Sequence, residues 1–570
     1  MEHLKYIDTP EAELYRLLRK DIIADLVRND FPPSEAGSLW KHFDPAREEY
    51  LDRVDAWQRL LCRGALVPQE ASLLPPSLIR MGMVTVTASS IALSAPTHLI
   101  ANVHQVARLL YKYDGKARKA WDIEAAKKRL SRSGVPSIPQ YYKERMVAVL
   151  RELRVPSWYD IVGRFGPGAC YERVDRAERW GFKTPFPQAV PPVIYDIGLI
   201  DEKYGTAFQG AVWARYGITR LQEVPKSLKT TRTVSSEPAT FMYAQLGVMD
   251  YMYKELQRRF PGHISLHDQQ RHARKLFCCG SRVIPSFRPA KVPKAAWNSE
   301  RFSVVPDPNV SIDLSDASDY VSRSLVSQLL PEWHDVLFAV RSTFTLFPDG
   351  TIVPLRTFAP MGSGVCFPVL TAVCAAACAV VCNDNDDWGV YGDDIIVPLH
   401  AFDELVWLLK AMGLVVNESK SCSTGRYREA CGCEVYQHGN YVSDITPALI
   451  RKQPWKVDGS TLEKWIHRMV DHINWDKTPR RLLELARFRF QLRWNADEQH
   501  QELWVPSMKM RKKFLKPIDG REGLVRHWAL NTQQEVRIRK DGVILQCEDG
   551  VVLPSSMTCR RAAWQSAANY

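Results

Sequence analysis

The sequence predicts an α+β fold, from the distribution of its apolar residues. Spacings of three and four over Glu11–Val27, Arg47–Leu61 and Arg145–Leu153 make the first part, to about Pro156, mainly helical. From Val310 onward short apolar strands alternate with helices, the pattern of a mixed core. After Pro447 helical spacing returns over Leu462–Ile473 and Arg480–Arg493, followed by strand-like runs near Val536–Leu545 and Val551–Leu553.

A chain of 570 residues exceeds what one core holds, so several subdomains are expected. The composition is 45% hydrophobic and 25% charged, which excludes a disordered or low-complexity protein. The net charge of +12 suits a polyanionic partner, although a merely soluble surface gives the same sign. Basic residues concentrate between Lys509 and Lys540, where Lys512 and Lys513 are adjacent; this block is the best basic patch, with a solvated face as the plainer alternative. Among the thirteen cysteines, Cys366, Cys374, Cys378 and Cys382 share one apolar run and are expected as buried hydrophobes. Cys431, Cys433 and His438 lack a second ligand pair at zinc-finger spacing. Met1 is followed by polar and charged residues rather than an apolar run, so no secretory signal is expected and a reducing cytoplasm fits. The uncharged stretch Thr357–Asn383 is long enough for a bilayer. Its Ala, Gly and Cys content and its prolines predict instead a helix buried inside protein, with no membrane partner.

Between the helical ends, proline-rich loops occupy Phe165–Gly168 and Thr184–Pro192, a helix is expected over Met242–Arg259, and Gly280–Pro308 has the character of an extended insertion. The sharpest feature is Val390-Tyr-Gly-Asp-Asp-Ile-Ile-Val397, apolar flanks around a tight turn, which predicts a β-hairpin. Asp393 and Asp394 repel each other at such a tip unless cations neutralise them, and hard divalent ions with oxygen ligands do so. An Asp-rich turn bonded to its own backbone is the plainer alternative. Upstream, Val310-Ser-Ile-Asp-Leu-Ser-Asp-Ala-Ser-Asp319 is a short strand that delivers Asp313 at its carboxyl end. If that strand pairs beside the hairpin, Asp313, Asp393 and Asp394 converge and can hold two Mg²⁺ ions. Asp316 or Asp319 is expected to cap the helix that begins near Arg323. The glycine-rich Pro360–Pro368 segment, with Gly362 and Ser363, can bring backbone close to a ribose or phosphate.

The order of these motifs resembles the palm of viral RNA-dependent RNA polymerases, and more closely the replicase catalytic subunit of the small RNA bacteriophages, the leviviruses. Ser311–Asp319, Met361–Gly364, Tyr391–Ile396, Gly413–Lys420 and Tyr427–Gly432 carry the resemblance, with Val224–Arg232, Glu237-Pro238, His267–Gln270 and Phe165–Gly168 upstream. It implies a right-hand fold: a helical region over 1–160, fingers over 161–310, a palm with an antiparallel sheet over 311–450, and a thumb with a basic terminus over 451–570. It implies Mg²⁺ at Asp313, Asp393 and Asp394, with Lys226, Lys229 and Arg232 on a basic strand that contacts the incoming triphosphate. Lys420 becomes the candidate proton donor to pyrophosphate, since an amine near a metal-bound phosphate can act as a general acid.

The chain departs from the wider polymerase pattern where a second Asp five residues after Asp313 is replaced by Ser318. Ser363 stands where phage relatives often carry Asn. Ribose discrimination is thereby left among Ser318, Asp319 and Ser363. A reverse transcriptase would share the metal aspartates but usually carries a bulkier residue at Gly392. A non-catalytic RNA-binding factor with a degenerate palm would have no need of the clustered carboxylates. A nucleotidyl cyclase would leave the basic strand and tail without purpose, and the sequence has no P-loop motif. The expected partners are template and product RNA, ribonucleoside triphosphates and, by resemblance, host translation elongation factors Tu and Ts and a ribosomal protein, in the cytoplasm of a bacterial host.

Overall fold

The computed structural model describes most of residues 22–112, 121–172, 216–277 and 309–449, with backbone strands at 189–190, 212–213, 302–304 and within 524–553. The predicted helices Leu462–Ile473 and Arg480–Arg493, most of Glu11–Val27 and most of the basic Lys509–Lys540 block lie outside the described residues.

The chain forms two compact units. One comprises residues 1–48, 105–114 and 447–570. It contains the helix Pro33–His42 and an antiparallel sheet of strands Leu524–Ala529, Thr532–Arg539, Gly542–Gln546 and Val552–Leu553; the expected run Val536–Leu545 is divided between two of these strands, and Leu524–Ala529 was not anticipated.

The other unit, residues 49–104 and 115–446, mixes helices and sheets and contains the motifs. At its centre is the helix Cys366–Val381, whose alanines and cysteines are almost all buried. Small side chains let neighbours approach closely, and the helices Gln140–Arg151, Ala239–Arg259 and Phe402–Ala411 pack around it. This is the burial expected for the uncharged stretch, and among the described residues no helix is long and apolar enough to cross a membrane.

A three-stranded antiparallel sheet lies against that helix, in the order Gly389–Tyr391, Asp394–Val397, Val310–Ile312. Its register pairs Tyr391 with Asp394 and Ile395 with Ile312. A four-stranded sheet runs Ile352–Pro354, Phe344–Leu346, Ile218–Pro225, Thr231–Ser236. Another runs Tyr427–Ala430, Cys433–His438, Tyr441–Asp444, Phe302–Val304, so the expected insertion supplies an edge strand. Ile396 of the hairpin packs with Ala430, Val435 and Val442 of that sheet.

Helix ends differ from the sequence expectation in instructive ways. The first motif-unit helix spans Tyr50–Arg63 and stops at Gly64, whose φ of 74° is the left-handed cap conformation. The Gln140–Arg151 helix starts five residues before the apolar spacing, because its first turn is polar and aromatic and follows Pro139. A buried chain of bonds ties the Tyr50–Arg63 helix to the Tyr427–Ala430 strand. Trp57 Nε1 bonds to His104 Nδ1 at 3.2 Å, while His104 Nε2 and Tyr427 Oη both reach Glu434 Oε2, at 2.5 and 2.6 Å.

Candidate active site: a carboxylate cluster at a strand end and a hairpin tip

Asp313 follows directly on Ile312, and Asp393 and Asp394 sit at the turn of the neighbouring hairpin, so the pairing of Ile312 with Ile395 brings the three into one charged neighbourhood. Gly392 makes the turn at φ 66°, and a Cβ there would lie 2.3 Å from the Phe367 ring. Only glycine serves at this tip.

The electrostatics follow from that crowding. The Asp394 carboxyl is pushed up to about 7, by burial first and then by the charges of Asp393, Glu429 and Asp313. Asp394 Oδ2 accepts the Cys431 backbone N–H at 3.1 Å, which offsets part of the cost. Asp313 is also raised, by burial first, with Lys420 acting against the shift and Glu429 and Asp393 adding to it. Its Oδ2 accepts from Asn417 Nδ2 at 2.9 Å and stands 3.6 Å from Lys420 Nζ. Its backbone is stitched to Asn417 and Ser421.

The donor set suits divalent cations: hard oxygen ligands from two strands whose mutual repulsion a cation would relieve. Among the described residues no three His, Cys, Asp or Glu side chains stand in the close geometry of a finished metal site. Asp313 and Asp394 are raised toward protonation, with Lys420 beside Asp313.

The basic segment differs from the single strand expected. Ile218–Pro225 and Thr231–Ser236 form a hairpin, with Lys226 and Lys229 in its turn and Arg232 on its second arm. Pro225 donates no backbone hydrogen, which favours a break in the strand there. Lys226 stays exposed as a residue, but loss of solvent around its ammonium lowers its pKa, with repulsion from Lys420 and Arg232 adding to the effect and Asp313 and Asp316 opposing it. Its charge is in turn felt at Asp313, which it helps keep ionised. Lys229 instead pairs with Asp55 of the Tyr50–Arg63 helix.

Capping also differs. Asp316 occupies the N-cap position of a short helix, Ala317–Tyr320, but makes no capping bond, and its φ of 46° is left-handed. The helix Arg323–Leu329 is capped by Ser322, whose hydroxyl accepts from Leu325 N at 3.0 Å. Asp319 pairs with Arg129 at 3.2 Å and is pushed up to about 6, mainly by burial. The Ser318 hydroxyl bonds to Asp319 at 3.3 Å and its carbonyl accepts from Thr357 at 2.9 Å. Gly362 packs on Ser235, and Ser363 is buried against Gln245.

Residues 305–458 match a family model described as RNA replicase, beta-chain. The RNA-directed RNA polymerase subunit beta of Escherichia virus Qbeta is 31% identical over 298 residues, 50% of this chain and 44% of that one. That of Enterobacteria phage SP is 32% identical over 234 residues, 40% and 35% of the two chains. Part of the chain is thus similar to the levivirus replicase beta chains. The matches span less than half the length of these relatives. A solved RNA-dependent RNA polymerase of a human picorbirnavirus aligns over 65% of this chain and 73% of that one, at 12% identity and a TM-score of 0.39, too slight a likeness to assign a fold.

Asp313, Asp393, Asp394 and Lys420 lie inside the segment matching the replicase beta-chain model, whereas Lys226, Lys229 and Arg232 lie outside it. The sequence did not single out Arg129, Asp55, Gln245 or Ser421, each of which touches a predicted residue, and Glu429, which biases Asp313 and Asp394, lay within the Tyr427–Gly432 motif with no role assigned to it. Asn417 sat within a motif but had no role assigned to it. No local signal marks the first three, because their partners are distant in sequence.

Proposed function

We propose that this chain is an RNA-directed RNA polymerase that replicates a phage RNA genome, as one subunit of a replicase. The observation that carries the reading is the carboxylate cluster of Asp313, Asp393 and Asp394, with Lys420 beside Asp313 and the Lys226 charge coupled to it. The names of the replicase relatives support it. On this reading 311–450 is the palm, 161–310 the fingers, 451–570 the thumb with a basic terminus, and 1–160 a helical region.

Asp313, Asp393 and Asp394 would hold two Mg²⁺ ions, which when bound would lower the pKa of a 3′-hydroxyl and neutralise a leaving pyrophosphate. The remaining work falls to the chain. Asn417 and Ser421 hold Asp313 in place, Lys226 and Arg232 meet the triphosphate, and Lys420 delivers a proton to the departing phosphate oxygen. Host elongation factors Tu and Ts and a ribosomal protein are the proposed partners, in a bacterial cytoplasm.

The test is ribonucleotide incorporation on an RNA template with Mg²⁺, by purified chain and by bacterial lysate, comparing native protein with Asp393→Asn. Incorporation lost in the variant while RNA binding persists supports the reading. RNA binding without incorporation in either setting overturns it, as does incorporation of deoxynucleotides alone.

A further inference from the structure

Gln245 lies in the second turn of the Ala239–Arg259 helix and is fully buried. A buried amide left unpaired costs about 1–3 kcal/mol, so its partners are informative. Oε1 accepts from the Gly364 backbone N–H at 2.9 Å and from the Ser363 hydroxyl at 3.2 Å. Nε2 donates to the Val340 carbonyl at 2.9 Å, which anchors the amide to the end of the His334–Val340 helix. Glu237, also buried, bonds to Ser342, Gln245 and Ser363. Ser235 N–H donates to the Met361 carbonyl at 2.7 Å, and Gly362 rests on the Ser235 carbonyl. The loop Met361–Gly364 is thus clasped along its length by groups that solvent does not reach.

The residues just beyond the loop, Cys366 and Phe367, reach the carboxylate site. The Cys366 thiol feels the charges of Asp319 and Asp393. The Phe367 ring lies against Gly392 and packs edge-on to Tyr391, 4.9 Å between centroids. A shift of the loop therefore moves the surface beside the hairpin tip, while Asp313 and Asp394 keep their own supports in Asn417, Ser421 and Cys431.

We infer that Gln245 is a positioning residue for the incoming nucleotide, setting where the Met361–Gly364 loop stands beside Asp393. The inference rests on the polymerase reading above. Ser363, whose hydroxyl is committed to Gln245 and Glu237, shapes the site from behind. Gln245 touches neither substrate nor carboxylate cluster, so its loss falls on nucleotide binding more than on the chemical step.

The experiment is single-nucleotide incorporation on a preformed RNA template and primer, with KM and kcat measured separately at pH 6, where Glu237, at about 7, keeps its proton. Gln245→Leu, which removes the bonds to Gly364, Ser363 and Val340 together, raises the nucleotide KM about tenfold while kcat stays within about threefold. Gln245→Glu, held protonated at this pH by burial, keeps a carbonyl oxygen for Gly364 and Ser363 and an O–H to donate to the Val340 carbonyl, and restores KM to within about threefold of native. An unchanged KM in Gln245→Leu overturns the inference, and so does a failure of Gln245→Glu to rescue it. If Gln245→Leu does not fold, Ser363→Ala removes one of the two bonds to Oε1; a KM rise of about threefold supports the inference and none overturns it. A native protein that incorporates nothing defeats the polymerase reading itself, whereas an active native protein with indifferent variants defeats only this inference.

Discussion

Lys420 Nζ stands 3.6 Å from Asp313 Oδ2, and the same oxygen accepts from Asn417. The amine is therefore beside the carboxylate that the strand delivers.

Charge and proton donation can be separated at this position. Arginine keeps the positive charge but holds its proton too tightly to act as an acid. Lys420→Arg and Lys420→Met are both expected to lower kcat about 10²-fold, with smaller changes in KM. Rapid-quench incorporation assays measure this. Recovery of native kcat by Lys420→Arg would leave Lys420 as a charge partner alone.

Arg129 and Asp319 form a pair whose carboxylate side chain is only 8% exposed. Removing the cation leaves a buried carboxyl already displaced to about 6. Arg129→Met is expected to cost about 2 kcal/mol of stability, and distinctly less in an Asp319→Asn background. Denaturation midpoints of the four proteins in the cycle decide it. Equal costs in both backgrounds would mean that the pair contributes nothing.

The hairpin, the strand ending at Asp313 and the buried alanine-rich helix were legible because each is a local pattern: apolar flanks around a turn, an apolar run ending in acid, an uncharged stretch. What sequence could not supply is how side chains divide distant partners. Asp319 had the composition of a helix cap, but the Ser322 hydroxyl takes that role because it sits immediately before Arg323. Lys229 had the spacing of a phosphate contact, yet the helix Tyr50–Arg63 presents Asp55 to it. Gln245 looked like one polar residue in a long helix, and only the fold brings the Ser363 hydroxyl and the Gly364 N–H to it.

Glu237 gives a pH-dependent stability. Burial first, opposed by its bonds to Ser342, Gln245 and Ser363 and by Arg341, raises its carboxyl from 4.5 to about 7. Below 4.5 both folded and unfolded chains hold the proton, and the shift has no effect. Between 4.5 and about 7 the unfolded chain ionises while the folded one resists, so stability falls as pH rises, and above that the loss is complete. The loss is on the order of 3 kcal/mol. Glu237→Gln removes the titration, so its midpoint of thermal unfolding should gain on the native protein between about pH 5 and pH 8. A native-to-variant difference that stays flat across that range would refute the assignment.

Gly362 and Gly82 offer a paired test of loop placement. Both have positive φ, 114° and 67°, but a Cβ on Gly362 would lie 2.1 Å from the Ser235 carbonyl oxygen while one on Gly82 meets nothing within 4 Å. Gly82→Ala therefore suffers backbone strain alone, about 1 kcal/mol, and should keep native incorporation. Gly362→Ala must push two backbone segments apart, because a carbonyl cannot rotate away as a side chain can. The displaced loop then misaligns the site, and a misplacement near 1 Å costs about 10²-fold in rate. Incorporation should fall by that factor in Gly362→Ala, with RNA binding and its salt dependence unchanged. Native activity in Gly362→Ala would show that the loop can leave Ser235 freely and has no part in placing the nucleotide.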